Sequence, residues 1–107
     1  MNLEDEKAKK AELVGVAKAM LQGEVHLIKG CRRLCSLRDK IDDSENRVFL
    51  PIEGIESDTD HFPLGKLREQ CAPEYLKRMD EEMERYLADA REDILNACRE
   101  IVRVFSS

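Results

Sequence analysis

The stretch that decides the fold class is residues 73–105, PEYLKRMDEEMERYLADAREDILNACREIVRVF. Pro73 suits the first turn of a helix, because the N–H that proline lacks would have no helical partner there. Apolar residues then recur at steps of three and four, the spacing that places side chains on one helix face. They are Leu76, Met79, Met83, Tyr86, Ala90, Ala97, Ile101 and Val104. Asp93 interrupts this near-heptad series, and the pattern predicts one helix over the whole stretch.

A second apolar stripe runs beside the first toward the end of this helix. Its members are Leu87, Ile94, Cys98, Ile101 and Phe105. The helix is therefore apolar on two faces after Ile94, and one helical partner covers only one of them. Either the connector or another subunit must cover the second face. We expect a homodimer that associates through the Ile94–Phe105 end as a four-helix bundle, with packing of the chain's own short segments as the alternative.

The first part of the chain, residues 3–42, has the same helical periodicity. Three acids in its first turn complement the positive end of the helix dipole. Gly15, Gly23 and Gly30 interrupt the apolar pattern, and each costs about 0.5–1 kcal/mol relative to alanine in a helix interior. These glycines could permit close approach of another helix or break the segment near Gly23. The preferred prediction is one long helix over residues 3–42, with a kink near Gly23.

The connector between these helices is residues 43–72. Residues 47–52 are of the type found in strands, but Pro51 disfavours a central strand. We therefore expect a short extended segment laid on the helices. Pro63 predicts a short helical piece over residues 64–70, because proline fits a first helical turn.

The composition supports the same architecture. Charged residues make up 38% of the 107 residues and aromatic residues only 5%, as in long solvated helices. A chain of this length forms one domain, here residues 1–107. We predict an all-α fold of two long antiparallel helices, residues 3–42 and 73–105, joined by the connector of about 30 residues.

The charge is concentrated in the connector. Residues 42–62 hold one arginine and seven acids, a net charge of −6, whereas residues 1–41 have a net charge of +3. The whole chain has a net charge of −5, which disfavours nucleic acid because phosphate binding needs a basic surface. An acidic and partly apolar connector suits a basic partner or a cation. The competing interpretation is a solvated loop.

The sequence also predicts the compartment. Residues 1–10 are charged and lack the apolar region of a signal peptide. No apolar run approaches the roughly 20 residues of a membrane span. We expect a cytoplasmic protein with no membrane target, whose four cysteines are reduced.

Two groups of residues resemble metal ligands. Cys31 and Cys35 share a helix face and could form a tetrahedral zinc site with His61 and Cys71. Both cysteines also fall on the apolar stripe, however, and their spacing matches no common zinc motif. Buried structural thiols are the preferred interpretation.

The acids of the connector offer a second candidate. Glu56, Asp58 and Asp60 could supply oxygen ligands to a hard cation, beside His61. The run lacks the spacing of an EF-hand loop, and turn or capping roles explain it equally well. We predict no metal, no cofactor and no enzymatic activity, because no catalytic motif is present.

A basic cluster lies near the end of the first predicted helix. Its members are Lys29, Arg32, Arg33, Arg38 and Lys40. The chain has the wrong overall charge for a nucleic-acid patch, and no aromatic stacking platform accompanies the cluster. We expect these residues to pair with acids of the last helix or of the connector.

Two stretches carry a resemblance to known proteins. The segment from Gly54 to Gly65, followed by the segment from Cys71 to Leu76, resembles parts of small bacterial helical proteins that lack an assigned activity. This resemblance implies an all-helical fold and no function. In size and acidity the chain is also similar to the immunity proteins that neutralise bacterial toxins, a likeness of class alone.

These observations lead to one preferred function. We predict a non-enzymatic module that binds a basic protein, most concretely an inhibitor that occludes a toxin or nuclease with carboxylates in place of substrate phosphates and Ile55 and Phe62 as apolar anchors. The predicted partner-binding residues are Glu53, Ile55, Glu56, Asp58, Asp60, His61 and Phe62. One alternative is a metal- or small-ligand-binding bundle that uses His61 with the acids or cysteines. Another is a purely structural dimerisation module.

Overall fold

The computed structural model describes residues 3–106. Helix accounts for 80% of these residues, and none of them lies in a strand. The α-helices are α1 (Leu3–Leu21), α2 (Leu27–Arg38), α3 (Leu50–Thr59) and α4 (Pro73–Phe105), and the 3₁₀ helices are Arg47–Phe49 and Gly65–Gln70. The predicted all-α class is confirmed, and the last helix has the predicted bounds.

The prediction of one continuous helix over residues 3–42 is wrong, because the chain reverses at Gly23. Gly23 has a φ of +75°, a left-handed conformation that glycine adopts without steric cost. The N–H of Glu24 donates to the carbonyl of Ala19 (2.9 Å), and the N–H of Gly23 donates to that of Met20 (3.2 Å). This is the Schellman pattern that ends a helix. The glycine therefore terminates α1 and does not kink a longer helix.

Helix α2 begins at an unusual cap. The Nδ1 atom of His26 accepts a hydrogen bond from the N–H of Ile28 (3.2 Å). Burial lowers the pKa of His26, and the nearby cations of Lys29 and Arg32 lower it further. A neutral imidazole results, which leaves Nδ1 free to accept.

Helices α1 and α2 form an antiparallel hairpin. Near its open end, both carboxylate oxygens of the buried Glu6 accept from the backbone N–H of Asp42. Closer to the turn, Glu12 pairs with Arg33 at 3.1 Å. The two helices also approach closely at Gly30, where a Cβ atom would overlap the side chain of Met20. The absence of a side chain at position 30 thus permits this close approach.

The connector is more helical than expected. The extended segment predicted for residues 47–52 is instead the 3₁₀ helix Arg47–Phe49 followed by the start of α3, with Pro51 in the first turn. Asn46 starts this run, since its Oδ1 accepts from the N–H of Val48 (3.0 Å). The predicted short helix over residues 64–70 is confirmed as the 3₁₀ helix Gly65–Gln70.

Helix α3 is attached to α2 by the basic cluster of the sequence. The guanidinium of Arg32 donates to the carbonyls of Thr59 (2.8 Å) and Phe62 (2.9 Å), at the end of α3. Arg38 pairs with Glu53 in the first turns of α3. Arg38 therefore pairs with an acid of the connector, as predicted, whereas Arg32 binds backbone carbonyls there and Arg33 pairs with Glu12 of α1.

Helix α4 packs against α1 on one side and against α3 and the 3₁₀ helix Arg47–Phe49 on another. The rings of Phe49 and Phe105 stack with centroids 5.6 Å apart. Leu34, Leu87 and Ile94, which the periodicity places in the core, are buried. The chain's own connector thus covers part of the second face of α4, so that face no longer requires a dimer to explain it. None of the helices in residues 3–106 is long and apolar enough to cross a membrane.

Candidate functional site

The seven residues predicted to bind a partner lie on α3 and on the turn after it, and burial divides them. Asp58, Asp60 and His61 are exposed, and Glu53 and Glu56 are half-buried. The side chains of Ile55 and Phe62 are only 7% and 4% exposed. The expectation that Ile55 and Phe62 serve as exposed anchors is therefore wrong.

The burial of these two residues follows from the register of α3. Ile52, Ile55, Thr59 and Phe62 are separated by steps of three and four, so they share one helix face and turn it toward the core. The hydroxyl of Thr59 donates to the carbonyl of Ile55 (2.7 Å), so this buried polar side chain has a hydrogen-bond partner. The apolar residues of the connector thus attach α3 to the core.

Glu53 also has a structural contact. Its carboxylate pairs with Arg38, whose guanidinium donates to Asp39 as well. The remaining acids have weaker local contacts: Asp58 accepts from the Tyr86 hydroxyl (3.2 Å), and Asp60 forms no ion pair within residues 3–106. Of the predicted acids, those at the end of α3 are therefore the most available to a partner.

The main concave feature is an open groove of about 840 Å³ between α4 and the segment that forms the 3₁₀ helix Arg47–Phe49 and α3. We call it the α3–α4 groove. Two of the predicted partner-binding residues, Ile55 and Asp58, line it. Its lining is Asn46, Arg47, Val48, Leu50, Pro51, Gly54, Ile55, Asp58, Tyr86, Ala90, Asp93, Asn96, Ala97, Glu100, Arg103 and Val104.

The α4 wall of the groove is built on a heptad spacing. Positions 86, 90, 93, 97, 100 and 104 follow one another at alternating steps of four and three and form a seam along the helix. Two of them are alanines, Ala90 and Ala97. Ala97 is covered by the chain itself, whereas the short side chain of the half-buried Ala90 leaves space beneath α3.

The α3 wall is apolar and also has little side-chain bulk in the middle. Leu50 is 59% exposed, a high value for a leucine next to an apolar groove. A Cβ atom added to Gly54 would meet no atom within 4 Å, and its φ is not left-handed. Gly54 is therefore not required by the backbone or by packing, and its absence of a side chain widens the groove.

The two ends of the groove differ in charge. At one end the Tyr86 hydroxyl donates to Asp58, and Asp93 is also near. Burial raises the pKa of Tyr86 to about 12, and the negative charge of Asp58 adds to the shift. At the other end Arg103 forms a two-point ion pair with Glu100 (3.0 Å for each bond). Among residues 3–106 no ion pair involves Asp58 or Asp93, so the Tyr86 end has uncompensated negative charge.

None of the four cysteines lines the groove, and Cys31, Cys35 and Cys98 are buried. Burial raises the pKa of the thiols of Cys31 to about 12 and of Cys35 and Cys98 to about 11, which keeps them neutral. The Cys98 thiol donates to the sulfur of Met20 (3.7 Å) inside the core. No cluster of three His, Cys, Asp or Glu side chains arranged to hold a metal ion occurs within the described part of the chain.

The sequence pattern indicates the α4 wall of the groove but does not indicate the groove. The near-heptad series and its interruption at Asp93 were visible, but the second face of α4 was assigned to another subunit. The signal that could have located the opposite wall is the helical spacing of Ile52, Ile55, Thr59 and Phe62, which shows that α3 buries one face and exposes Leu50 and Gly54.

The comparisons with known proteins give a family. No curated protein and no solved structure matches the chain. Residues 3–101 match the DUF2489 family, which is described as a protein of unknown function. Since the match covers nearly the whole chain, the protein belongs to the DUF2489 family.

Proposed function

We propose that the protein is a non-enzymatic binding module whose partner is a basic protein. The observation that carries this proposal is the α3–α4 groove, which combines an apolar lining with uncompensated carboxylates at one end. Apolar concave surfaces are the usual sites at which proteins bind partners, because burying them on contact releases water. The chain offers such a surface along most of the second half of α4.

The charge of the connector supports the choice of partner. Residues 42–62 have a net charge of −6, and the exposed Asp58 and Asp60 lie where α3 ends. Negative charge concentrated next to an apolar groove attracts a basic protein and raises its rate of association. Glu53 is less suited to this role, because Arg38 already neutralises it.

The mechanism of the proposed module is occlusion. The apolar groove would bury a segment of the partner, and the carboxylates at its Tyr86 end would pair with the partner's lysine or arginine side chains. In its most specific form the protein is an acidic inhibitor of a basic toxin or nuclease, in which these carboxylates occupy the positions of substrate phosphates.

A photo-crosslinking amino acid tests this proposal. Introduced at Leu50, on the groove rim, it should capture a basic protein in cells of the source species, whereas the same residue at the exposed Ala11 of α1 should not. The purified partner should then bind the unmodified protein with an affinity that falls as salt rises. Equal capture at both positions, or a captured protein whose binding does not depend on salt, would refute the proposal.

A further inference from the structure

We propose that the α3–α4 groove receives an α-helical segment of its protein partner, laid along α4 with basic side chains at the Tyr86 end. This inference rests on the proposed function and adds the secondary structure and orientation of the bound segment. The alternating steps of four and three along the α4 wall are the pattern against which a second helix packs at a small crossing angle. From Tyr86 to Val104 the seam extends about 27 Å, at 1.5 Å per residue.

The small residues of the groove also suit a helix. Ala90 on α4 is half-buried and Gly54 on α3 is exposed, and both are small, so the partner's backbone can approach to roughly the 8–10 Å axial separation of packed helices. Larger side chains of the bound helix can then fill the space above these two positions. Leu50 on the rim would pack against the flank of that helix.

An extended segment is the poorer candidate for a physical reason. Both walls are helical, and the backbone N–H and C=O groups of a helix interior are already paired with one another. An extended peptide buried there would find no strand edge to bond with, and its own buried backbone groups would remain unpaired. A helix pairs its backbone groups internally, so those groups stay hydrogen-bonded when the helix is buried.

Charge decides between a partner protein and a second copy of this chain. The seam belongs to α4, which has six basic and nine acidic residues, and the whole chain has a net charge of −5. Two copies that met along this seam would therefore repel each other. A helix with lysine or arginine near Asp58 and Asp93 would instead neutralise the uncompensated end of the groove.

A matched pair of glycine substitutions tests the site. Gly54→Trp fills the groove, and Gly15→Trp puts the same side chain on the exposed surface of α1 outside the groove; a Cβ at either glycine meets no atom within 4 Å. Both variants should melt at or above the temperature of the unmodified protein, since each replaces a helical glycine whose φ is not left-handed. Any loss of binding in Gly54→Trp alone is then due to the blocked groove.

The probe is a display library of random peptides of about 20 residues, a length that covers the seam as a helix. The library is selected on the unmodified protein alone, so that sensitivity to Gly54→Trp is a result and not a condition of the selection. Enriched peptides should show apolar residues at heptad spacing with lysine or arginine clustered at one end, and should become helical on binding. Gly54→Trp should weaken them by about tenfold or more, and Gly15→Trp should leave their affinity unchanged.

The orientation is tested with Asp58→Asn combined with Asp93→Asn. This double variant should weaken the enriched peptides and flatten their salt dependence, because it removes the charge at the Tyr86 end. Enriched peptides that are extended, acidic or insensitive to Gly54→Trp would overturn the inference. A doubled mass in light scattering would also overturn it if Gly54→Trp lowers that mass to the mass of one chain. The occupant of the groove would then be a second copy of the chain. Capture of a basic protein at Leu50 together with any of these results would leave the proposed function intact.

Discussion

The two faces of α4 show how one helical periodicity can produce either a closed core or an open groove. On the closed face, Ile94, Cys98 and Ile101 are fully buried, and Cys98 contacts Met20 of α1. On the open face, the short side chain of the half-buried Ala90 leaves space below α3, although Ala97 farther along the seam is covered. Both stripes are built on steps of three and four. The size of the side chains at those steps and the length of the opposing helix decide whether the two helices pack closely along their whole length.

Two helical glycines repeat this contrast. A Cβ at Gly30, in the closed region, would lie within 2.8 Å of three atoms of Met20, whereas a Cβ at Gly54, in the groove, would meet nothing within 4 Å. The first glycine permits close packing and the second leaves packing incomplete. Substitutions in the two regions should therefore differ in size and in sign.

The largest expected effects are truncations on the closed side. Leu34→Ala, Leu87→Ala or Ile94→Ala should each lower the free energy of unfolding by about 2–5 kcal/mol, because each leaves a cavity in a packed core. The matched change on the open side, Leu50→Ala, should alter it by less than about 0.5 kcal/mol. Urea unfolding measures both. Losses below about 1 kcal/mol at all three core positions would contradict the contrast.

Gly30→Ala should have the next largest effect. The new methyl group overlaps the Met20 side chain, and overpacking of this kind costs about 1–3 kcal/mol. In a Met20→Ala background the overlap is gone, so the same substitution should become neutral or stabilising through its helix propensity. A double-mutant cycle measures this reversal. The same cost in both backgrounds would show that Met20 is not the obstacle.

Alkaline pH should weaken the closed region through its thiols. Burial holds the pKa of Cys31 at about 12, against 9.0 for an exposed thiol. This contribution to stability is complete below pH 9 and is lost as the pH rises from 9 through about 12, because only the unfolded state ionises in that window. The loss at pH 10 should be about 1 kcal/mol for each buried thiol.

Urea unfolding at pH 8 and pH 10 measures this loss, with Cys31→Ala as the comparison. The variant should lose less stability between the two pH values than the unmodified protein, although it starts from a lower value. An identical fall in both proteins would mean that Cys31 does not titrate on unfolding in this range.

The smallest expected effect is a gain in stability on the open side. Gly54→Ala should raise the free energy of unfolding by about 0.5–1 kcal/mol, since alanine favours the helix and no atom obstructs its methyl group. Thermal melting measures the change. A loss of stability would mean that α3 packs more closely on α4 than the groove implies.

The parts of the fold that sequence predicts well are those with local signals. Helix α4 has the predicted bounds because Pro73 marks its start and because its apolar residues keep the same helical spacing on both sides of Asp93. The preferred prediction missed the end of α1. A glycine at position 23 is compatible with a helix interior and with a left-handed cap, and only its φ separates the two cases. The capping role of His26 was equally invisible, since histidine is not a usual cap.

The candidate site is less predictable because it depends on two segments distant in sequence. Acidic residues dominate the connector, so the helical spacing of Ile52, Ile55 and Phe62 was not recognised. Pro51 and its β-type neighbours also favoured an extended segment. Sequence therefore placed exposed anchors where the core lies. The sequence did single out Asp58 and the interruption of the seam at Asp93. Both acids line the groove, as does Tyr86.

The attachment of α3 by Arg32 has a consequence for how the groove can change. One guanidinium on α2 is bonded to the carbonyls of Thr59 and Phe62, on either side of the end of α3. The amide hydrogens of α3 should therefore exchange with solvent as a single cooperative unit, at a lower opening free energy than those of α4. Arg32 thus fixes the end of the α3 wall from α2, a helix that contributes no residue to the groove lining.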